Sequence, residues 1–258
     1  MIKESKNTDN KKPGKSDERV IEISNLHKTF GDNAVLKGVD LALSKGENLV
    51  ILGKSGSGKS VTIKCLVGLV DADEGEINVF GTDVTKLDNI GMNEMRSRMG
   101  FLFQNGALYD SMSVRENLAF TLRHHSKEIT DEDLENQVVE ALRNVGLEEA
   151  IDKMPSELSG GMRKRVGLAR TLIIRPDIIL YDEPTTGLDS ITSREISELI
   201  LDIQEKYKTS SIIITHDMPC AKITANRIII LKEGVIHAEG TYKELEKSDD
   251  EWVRSFFI

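Results

Sequence analysis

The chain has 258 residues, of which 39% are apolar and 30% charged, a composition typical of one large α/β domain or two small ones. No apolar run approaches the roughly 18 residues that span a bilayer, so any role at a membrane requires a partner protein. The net charge of −9 disfavours general nucleic-acid binding, because such proteins present a basic face that releases counterions.

In chain order, a polar tail precedes a group of predicted strands. Residues 1–19 lack the apolar core of a secretory signal, and their composition predicts a disordered tail, either simply solvated or in contact with anionic lipid headgroups. One strand is then predicted to begin at Val20, a second to cover 39–43, and a buried third to cover 48–52. The third strand leads directly into a glycine-rich loop, after which residues 61–69 have helical character.

Polar helical segments dominate between about residues 90 and 175, and we interpret this region as a helical insertion in an α/β core. One of its helices is predicted to begin at Thr130-Asp-Glu-Asp133, which has the form of a capping box. Apolar runs at 178–181 and 211–215 then indicate buried strands of a mostly parallel sheet. A hairpin of two further strands is predicted around Gly234.

The glycine-rich loop matches the phosphate-binding pattern G-x-x-x-x-G-K-[ST], and it lies between a predicted strand and a predicted helix, as that pattern requires. Glycines let backbone N–H groups approach phosphate oxygens, and the N-terminus of the following helix adds partial positive charge. Lys59 is expected to contact the outer phosphates and assist catalysis, and Ser60 to offer its hydroxyl to Mg²⁺. The candidate ATP-binding residues of the loop are Gly53, Lys54, Ser55, Gly56, Ser57, Gly58, Lys59 and Ser60.

A second candidate element is the apolar run 178–181, which ends in the paired carboxylates Asp182 and Glu183. A strand of this kind would deliver Asp182 beside the magnesium site. Because side chains alternate along a strand, Glu183 is expected to point elsewhere, toward the attacking water, and to act as the general base.

The sequence Leu158-Ser-Gly-Gly-Met162 is predicted to open a helix, with Ser159 as its N-cap. Gly160 and Gly161 permit a close approach of the backbone to an anion. By itself, this pattern fits an ordinary capped helix equally well. The basic residues that follow on the same predicted helix are Arg163, Lys164, Arg165 and Arg170.

Taken together, these motifs resemble those of ABC ATPases in type and in order. Two further matches, Gly187-Leu-Asp189 and Thr215-His216-Asp217, extend the resemblance over roughly residues 20–245. The resemblance implies an α/β fold with a P-loop NTPase (RecA-like) core, an antiparallel β subdomain and an inserted α-helical subdomain at about 90–175. It also implies ATP and Mg²⁺ as cofactors and ATP hydrolysis as the activity.

The resemblance gives four more residues an expected role. Phe30 matches the aromatic residue that stacks on adenine, with an ordinary core phenylalanine as the alternative. Gln104 matches the glutamine that contacts Mg²⁺ and the attacking water and that links the site to the membrane subunit. Asp189 matches the residue that couples the two sites of a dimer, and His216 matches the histidine that contacts the γ-phosphate.

A homodimer is a further implication of the resemblance. The phosphate loop of one copy would face Ser159, Gly160 and Gly161 of the other, with ATP between them. ATP would join the copies and hydrolysis would let them separate, a cycle that drives a membrane permease. The chain departs from the usual signature LSGGQ at Met162, which replaces the glutamine and leaves the anion-binding groups intact.

Residues 102–118 are similar to the corresponding stretch of Mla-type, Mce-associated lipid-transport ATPases, which carry the pattern FQ-x-GAL-[FY]. Met162 and the segment 154–158 fit the same subfamily. This resemblance implies a permease and an Mce-type lipid-binding protein as partners, no nucleic acid, and a peripheral position on the cytoplasmic face of the inner membrane. Candidates for contact with the permease, or else for packing within the helical subdomain, are Asn105, Leu108, Tyr109 and Met112.

Two other classes of ABC protein remain open. The segments 26–31 and 35–38 are similar to polar amino-acid importer ATPases, which rarely carry GAL-[FY] after the glutamine. The other class is a soluble ABC protein that acts on nucleic acid or ribosomes. Such proteins usually have paired ATPase domains or coiled-coil insertions, whereas this sequence predicts one domain and has an acidic balance.

The segment 246–258 follows the predicted domain and contains Trp252-Val-Arg-Ser-Phe-Phe-Ile258. Apolar side chains in such a segment are expected to dock on a protein surface. They would pack either on the chain's own domain or on a partner, which is then the second copy or a regulatory subunit.

Overall fold

The computed structural model describes residues 18–104, 106–126 and 128–257. The predicted tail therefore lies outside the described residues except for Glu18 and Arg19, and Asn105 lies outside them as well. Arg19 is the first residue of a strand rather than the last residue of a tail. In the described ranges, no helix is both long enough and apolar enough to cross a bilayer.

Strands and helices alternate along most of the chain. The strands are β1 (Arg19–Phe30), β2 (Asn33–Ser44), β3 (Asn48–Leu52), β4 (Glu74–Val79), β5 (Thr82–Asp83), β6 (Met99–Leu102), β7 (Ile178–Asp182), β8 (Ser210–Ile214), β9 (Arg227–Lys232) and β10 (Val235–Gly240). The α-helices are α1 (Lys59–Leu66), α2 (Asn89–Ser97), α3 (Val114–His125), α4 (Asp131–Asn144), α5 (Gly160–Leu172), α6 (Ser190–Tyr207), α7 (Met218–Thr224), α8 (Tyr242–Leu245) and α9 (Glu251–Arg254).

The central sheet, as described, has the strand order β10-β9-β3-β8-β7-β6, and its neighbours are parallel except for β10, which pairs antiparallel with β9. Strands β3 and β8 are buried along their whole length, because both faces of a parallel sheet are covered. Leu49 and Ile51 enter the apolar cluster on one face, and Val50 and Leu52 enter the cluster on the other. The parallel sheet and the hairpin around Gly234 are therefore confirmed.

The second sheet is antiparallel and has the strand order β2-β1-β4-β5. Strands β1 and β2 are long and bulged, and β1 buries Ile21, Ile23 and Leu26 in the same apolar cluster as Leu49 of the central sheet. This sheet corresponds to the expected antiparallel β subdomain. It places Phe30, the last residue of β1, in the wall of the cavity that the glycine-rich loop lines.

The region predicted as a helical insertion, about 90–175, also contains part of the core, which corrects that interpretation. Strand β6 pairs in parallel with β7 and forms one edge of the central sheet. Helix α2 packs beside α1, since Arg96 Nε donates to the Val67 carbonyl at 2.8 Å and Met95 lies in the cluster that contains Ile63. The inserted helical part therefore begins at α3 and not at about residue 90.

Two of the helices in that region begin at residues whose side chains cap them. Thr130 Oγ1 accepts from the backbone N–H of Asp133 at 3.1 Å, so the start of α4 is confirmed. Ser113 and Glu116 form a reciprocal capping box at the start of α3. Helices α3, α4 and α5 share one apolar cluster, and this packing holds the N-terminus of α5 in place.

Residues 241–257 fold back onto the chain's own domain. Val253 in α9 is buried, and Trp252, Phe256 and Phe257 pack against the apolar cluster on one face of the central sheet. The Trp252 ring meets the Phe256 ring at 5.0 Å between centroids, and Lys232 Nζ lies 4.3 Å from the Trp252 centroid. The structure thus shows the first of the two arrangements considered for this segment.

Candidate active site

The glycine-rich loop joins β3 to α1 and has backbone angles that glycine alone adopts without strain. Gly53 and Gly58 have φ values of 152° and 106°. A Cβ on Gly53 would lie 2.4 Å from the Leu231 carbonyl oxygen, and a Cβ on Gly58 would lie 2.6 Å from Leu36 Cδ2. Among the described side chains, none caps α1, so its first N–H groups keep their capacity to bind an anion.

Lys59 is the first residue of α1, and it is only 8% exposed. Its Nζ donates to the carbonyl oxygens of Gly53 at 2.7 Å and Lys54 at 3.2 Å. Burial lowers the pKa of this ammonium group, and the carboxylates at the end of β7 oppose that effect. Within the described residues, the buried Ser57 hydroxyl has no hydrogen-bond partner. A cation and an unpaired hydroxyl beside free N–H groups fit a phosphate.

Asp182 is the last residue of β7, and its carboxylate accepts a hydrogen bond from Ser60 in the first turn of α1. Burial raises the pKa of Asp182, and the negative charge of Glu183 raises it further. A hydroxyl and a carboxylate are ligands that Mg²⁺ prefers, so Ser60 and Asp182 fit the role of holding that ion. When bound, Mg²⁺ would neutralise charge on the phosphate oxygens.

Glu183 follows the end of β7 in the left-handed region, with φ at 52°. The backbone turns between Asp182 and Glu183, and this turn separates their environments. The prediction that side-chain alternation along the strand would do so is wrong, because β7 ends at Asp182. Glu183 Oε2 lies 2.8 Å from His216 Nδ1 and accepts from Thr186 Oγ1 at 3.1 Å. The His216 side chain is 67% exposed, so this pair stands at the surface of the site. The arrangement suits a carboxylate that accepts a proton from water.

One cavity of about 960 Å³ brings most of the predicted site residues together. Phe30 is 47% exposed in its wall, which favours the expected contact with a base over a place in the core. Gln104 also lines it, from the segment that follows β6. The predicted residues found in this wall are Phe30, Gly53, Lys54, Ser55, Gly56, Ser57, Gly58, Lys59, Ser60, Gln104, Asp182, Glu183 and His216.

Ser159, Gly160, Gly161 and Asp189 are not among the residues that line this cavity. Ser159 caps α5, since its Oγ accepts from the Met162 N–H at 3.2 Å. A Cβ on Gly161 would lie 2.6 Å from the Thr192 side chain, so the start of α5 adjoins the start of α6. Asp189 caps α6, and hydrogen bonds from Thr192 and Ile191 lower the pKa of its carboxyl. These four residues therefore form a separate surface.

The pattern of the ABC transporter family matches residues 36–186 of the chain, which is more than half of its length. The chain belongs to the ABC transporter family. It is an ABC ATPase, whose cofactors are ATP and Mg²⁺. The predicted family, fold, activity and cofactors are thereby confirmed.

Relatives of this ABC ATPase are named for the transport of three different kinds of substrate. It is 40% identical over 236 residues to the probable ribonucleotide transport ATP-binding protein mkl of Mycobacterium tuberculosis, covering 92% of this chain and 66% of that protein. It is 38% identical over 234 residues to the intermembrane phospholipid transport ATP-binding protein MlaF of Haemophilus influenzae, covering 90% and 88%. It is 37% identical to the methionine import protein MetN of Clostridium tetani, covering 88% and 70%. The chain spans about two thirds of the mycobacterial relatives.

Solved structures of other ABC cassettes have the same fold. The dimeric cassette MJ0796, in a post-hydrolysis state bound to ADP and Pi, superposes with a TM-score of 0.78 at 32% identity, covering 86% of this chain and 98% of that one. The cassette cbiO1 from Clostridium perfringens superposes with a TM-score of 0.83 at 27% identity, covering 93% and 94%.

The sequence did not identify two residues that line the cavity, nor one buried residue that contacts the backbone of its wall. Ser255 and Phe256 line the nucleotide cavity, although they lie about 200 residues from the phosphate loop in sequence. Lys164 in α5 is buried, its Nζ donates to the Glu183 carbonyl at 3.0 Å, and burial lowers its pKa to about 8. The apolar residues at 252–258 could have indicated that Phe256 packs against the domain. Nothing in the sequence distinguishes Lys164 from its basic neighbours.

The segment after Gln104 forms part of an exposed aromatic groove. Phe103 and Tyr109 are 40% and 46% exposed, and the Tyr109 ring meets Phe120 of α3 at 5.2 Å between centroids. Of the other predicted permease contacts, Leu108 packs against the core, and Met112 is half-buried at the edge of an adjoining groove. Among the three candidates that the structure describes, Tyr109 is thus the most accessible.

Proposed function

We propose that this chain is the ATP-hydrolysing subunit of an ABC transporter that moves phospholipid, together with a membrane permease and an Mce-type lipid-binding protein. The observation that carries this proposal is the groove at 101–109. There the GAL-[FY] sequence presents Tyr109 to solvent beside Phe103, Phe120 and Arg170. A groove with aromatic walls suits an apolar helix end of a partner protein.

Hydrolysis at the site follows from the geometry of the cavity. Lys59 and the loop N–H groups bind and orient the phosphates, and Ser60, Asp182 and Gln104 are the residues that would hold Mg²⁺, which would supply charge neutralisation on the phosphate oxygens. Glu183 accepts a proton from the attacking water, and His216 fixes the Glu183 carboxylate from one side. The site closes when Ser159, Gly160, Gly161 and Asp189 of a second copy cover the nucleotide, so the working unit is a homodimer.

The membrane partner determines where the protein acts. A chain that binds its permease through the groove at 101–109 is peripheral, on the cytoplasmic face of the inner membrane. The similarity to MlaF, which the chain covers over 88% of its length, supports a phospholipid substrate. The similarity to the methionine import protein MetN at 37% identity favours a second candidate, the ATPase of an amino-acid importer, and the segments 26–31 and 35–38 are similar to the polar amino-acid class. An ABC protein that acts on nucleic acid or ribosomes would bind no permease.

The test is purification of the affinity-tagged chain from detergent-solubilised membranes of its source organism. We expect a permease, an Mce-domain protein and bound phospholipid, identified by mass spectrometry. A solute importer's permease would show that the second candidate is right. Ribosomes or nucleic acid without a permease would support the third class and exclude both transporters.

A substitution in the groove tests the surface that carries the proposal. Tyr109→Asp places a charge among Phe103, Phe120 and the apolar partner surface, so we expect the permease to be lost while ATP binding is kept. The matched control is Val235→Asp, which places the same charge on an exposed apolar residue of the hairpin, 38% exposed and outside the groove. Loss of the permease from both variants, or from neither, would contradict this role for the groove.

A further inference from the structure

Helix α5 keeps one face against the backbone of Phe101, Gly106 and Ala107. Arg170 Nη1 donates to the Ala107 carbonyl at 2.5 Å, and Thr171 Oγ1 donates to the Phe101 carbonyl at 3.3 Å. Gly167, one turn earlier, is so close to this segment that a Cβ there would lie 3.1 Å from Gly106 Cα. Lys164 stands on the same face, because residues three and four apart are neighbours on a helix.

Lys164 is the residue of this face that reaches the active site. It is 5% exposed, and its Nζ donates both to the Gln104 carbonyl and, at 3.0 Å, to the Glu183 carbonyl. A buried ammonium group is costly unless it is paired, and here two main-chain oxygens and the nearby charges of Glu183 and Asp182 stabilise it. Lys164 itself does not line the nucleotide cavity.

The two carbonyl groups belong to backbone that has to stay in place for hydrolysis. Glu183 has a φ of 52°, which is strained for a residue with a side chain and persists only where neighbours hold it. Gln104 opens the segment that leads to the exposed Tyr109. Since Ser159 caps the start of α5, one ammonium group connects the capped helix, the proposed base and the segment that leads to the groove.

We propose that Lys164 is a positioning residue for ATP hydrolysis, which fixes the backbone of Glu183 and Gln104 relative to helix α5. The proposal rests on ATP hydrolysis by this family and does not depend on the transported substrate. It also predicts that a movement of α5 reaches the base through Lys164, without a contact between Lys164 and the nucleotide.

The neighbouring Arg165 provides a matched control. Arg165 Nη1 donates to the Val145 carbonyl at 3.0 Å, and Arg165 Nη2 pairs with Glu195 at 2.9 Å. Like Lys164, it is a basic residue in the second turn of α5 that binds a main-chain carbonyl. Unlike Lys164, it contacts no residue of the active site in the described chain. Arg165→Met therefore removes a comparable interaction from the same helix.

The experiment compares Lys164→Met, Lys164→Arg and Arg165→Met in the full chain, by steady-state phosphate release, equilibrium ATP binding and thermal melting. For Lys164→Met we expect kcat to fall about tenfold or more, with Kd for ATP unchanged. For Lys164→Arg we expect most of the turnover to return, because a guanidinium group offers several N–H donors to the two carbonyls. Arg165→Met is expected to lower the melting temperature and to leave kcat unchanged.

Three results would overturn the proposal: wild-type kcat in Lys164→Met, an equal loss of kcat in Arg165→Met, or a loss of ATP affinity that accounts for the lower turnover. Failure of Lys164→Arg to recover any turnover would also count against it. If Lys164→Met does not melt cooperatively, Lys164→Gln replaces it, with the same expectation of a lower kcat at unchanged Kd. A lower kcat in the cooperatively melting variant supports the proposal.

Discussion

Asp182 and Glu183 are adjacent carboxylates that the backbone places in different surroundings. Asp182 ends a buried strand and faces the Ser60 hydroxyl, and burial raises its pKa. Glu183 turns into the left-handed region and faces His216 instead. Burial disfavours the charged form of Asp182 unless a cation lies beside it. Glu183 instead lies beside the exposed His216, at the open side of the cavity.

At the residue scale, the role of Glu183 is tested by Glu183→Gln, which keeps the shape of the side chain and removes its basicity. We expect kcat to fall at least about a hundredfold, as for loss of a general base, while ATP binding is retained. Phosphate release and equilibrium ATP binding measure the two effects. Glu198→Gln, at an exposed ion pair with Arg194, is the control and should turn over normally. Turnover near the wild-type rate in Glu183→Gln would remove Glu183 from the role of base.

At the scale of the elements, Asn117 shows how a helix holds a functional loop. It lies in the second turn of α3 and is fully buried. Its Oδ1 accepts from the Tyr109 N–H at 2.8 Å, and its Nδ2 donates to the carbonyl oxygens of Tyr109 at 3.1 Å and Met112 at 3.0 Å. One amide group therefore fixes the loop that carries the exposed Tyr109 ring.

Replacing that amide should loosen the loop without touching the nucleotide cavity. We expect Asn117→Ala to lower the free energy of unfolding by about 1–3 kcal/mol, because the backbone groups of Tyr109 and Met112 lose the hydrogen-bond partner that the buried amide supplies. Recovery of the permease in the co-purification should fall, while ATP affinity is unchanged. Asn144→Ala removes a half-buried amide of α4 that binds Tyr207 Oη, and it should not affect the permease. Equal permease recovery from both variants would refute the role of Asn117.

The sequence predicts some of these elements and misses others. Strand β3 is predicted at its observed bounds, 48–52, because its apolar run and the glycine-rich loop mark both ends. Strand β6 is missed because four residues with a central glycine, Gly100, carry too little periodicity. Lys164 is missed for another reason. A charge on a polar helix predicts exposure, whereas one of the carbonyl groups that pair with the buried Lys164 belongs to Gln104, 60 residues away in sequence.

Over the described chain, the predicted site residues are divided between two surfaces. The phosphate loop, the carboxylates and His216 line one cavity, and Ser159 with Asp189 lies outside it, where α5 and α6 begin. The sequence motifs predict both groups of residues, but only the folded chain shows that one copy does not bring them together. In the proposed homodimer, closure by a second copy would give every motif a nucleotide to contact.

This division predicts an ATP-dependent dimer. In the Glu183→Gln background, we expect ATP with Mg²⁺ to convert monomer to dimer, measured by size-exclusion chromatography with light scattering. Adding Ser159→Arg should abolish the dimer, because a bulky cation would stand where the second nucleotide docks. Glu132→Arg, in the exposed first turn of α4, is the control for added positive charge and should dimerise normally. A dimer that forms equally well with Ser159→Arg would contradict this arrangement.

The last described segment has a practical consequence. The chain contains a single tryptophan, Trp252, whose ring meets that of Phe256 edge to face, and Phe256 lines the nucleotide cavity. Indole emission depends on its surroundings, and those surroundings include Lys232 and His237. The tryptophan fluorescence of the unlabelled protein therefore comes from one known position beside the cavity. That position gives the ABC ATPase an internal optical reporter for nucleotide arrival and release.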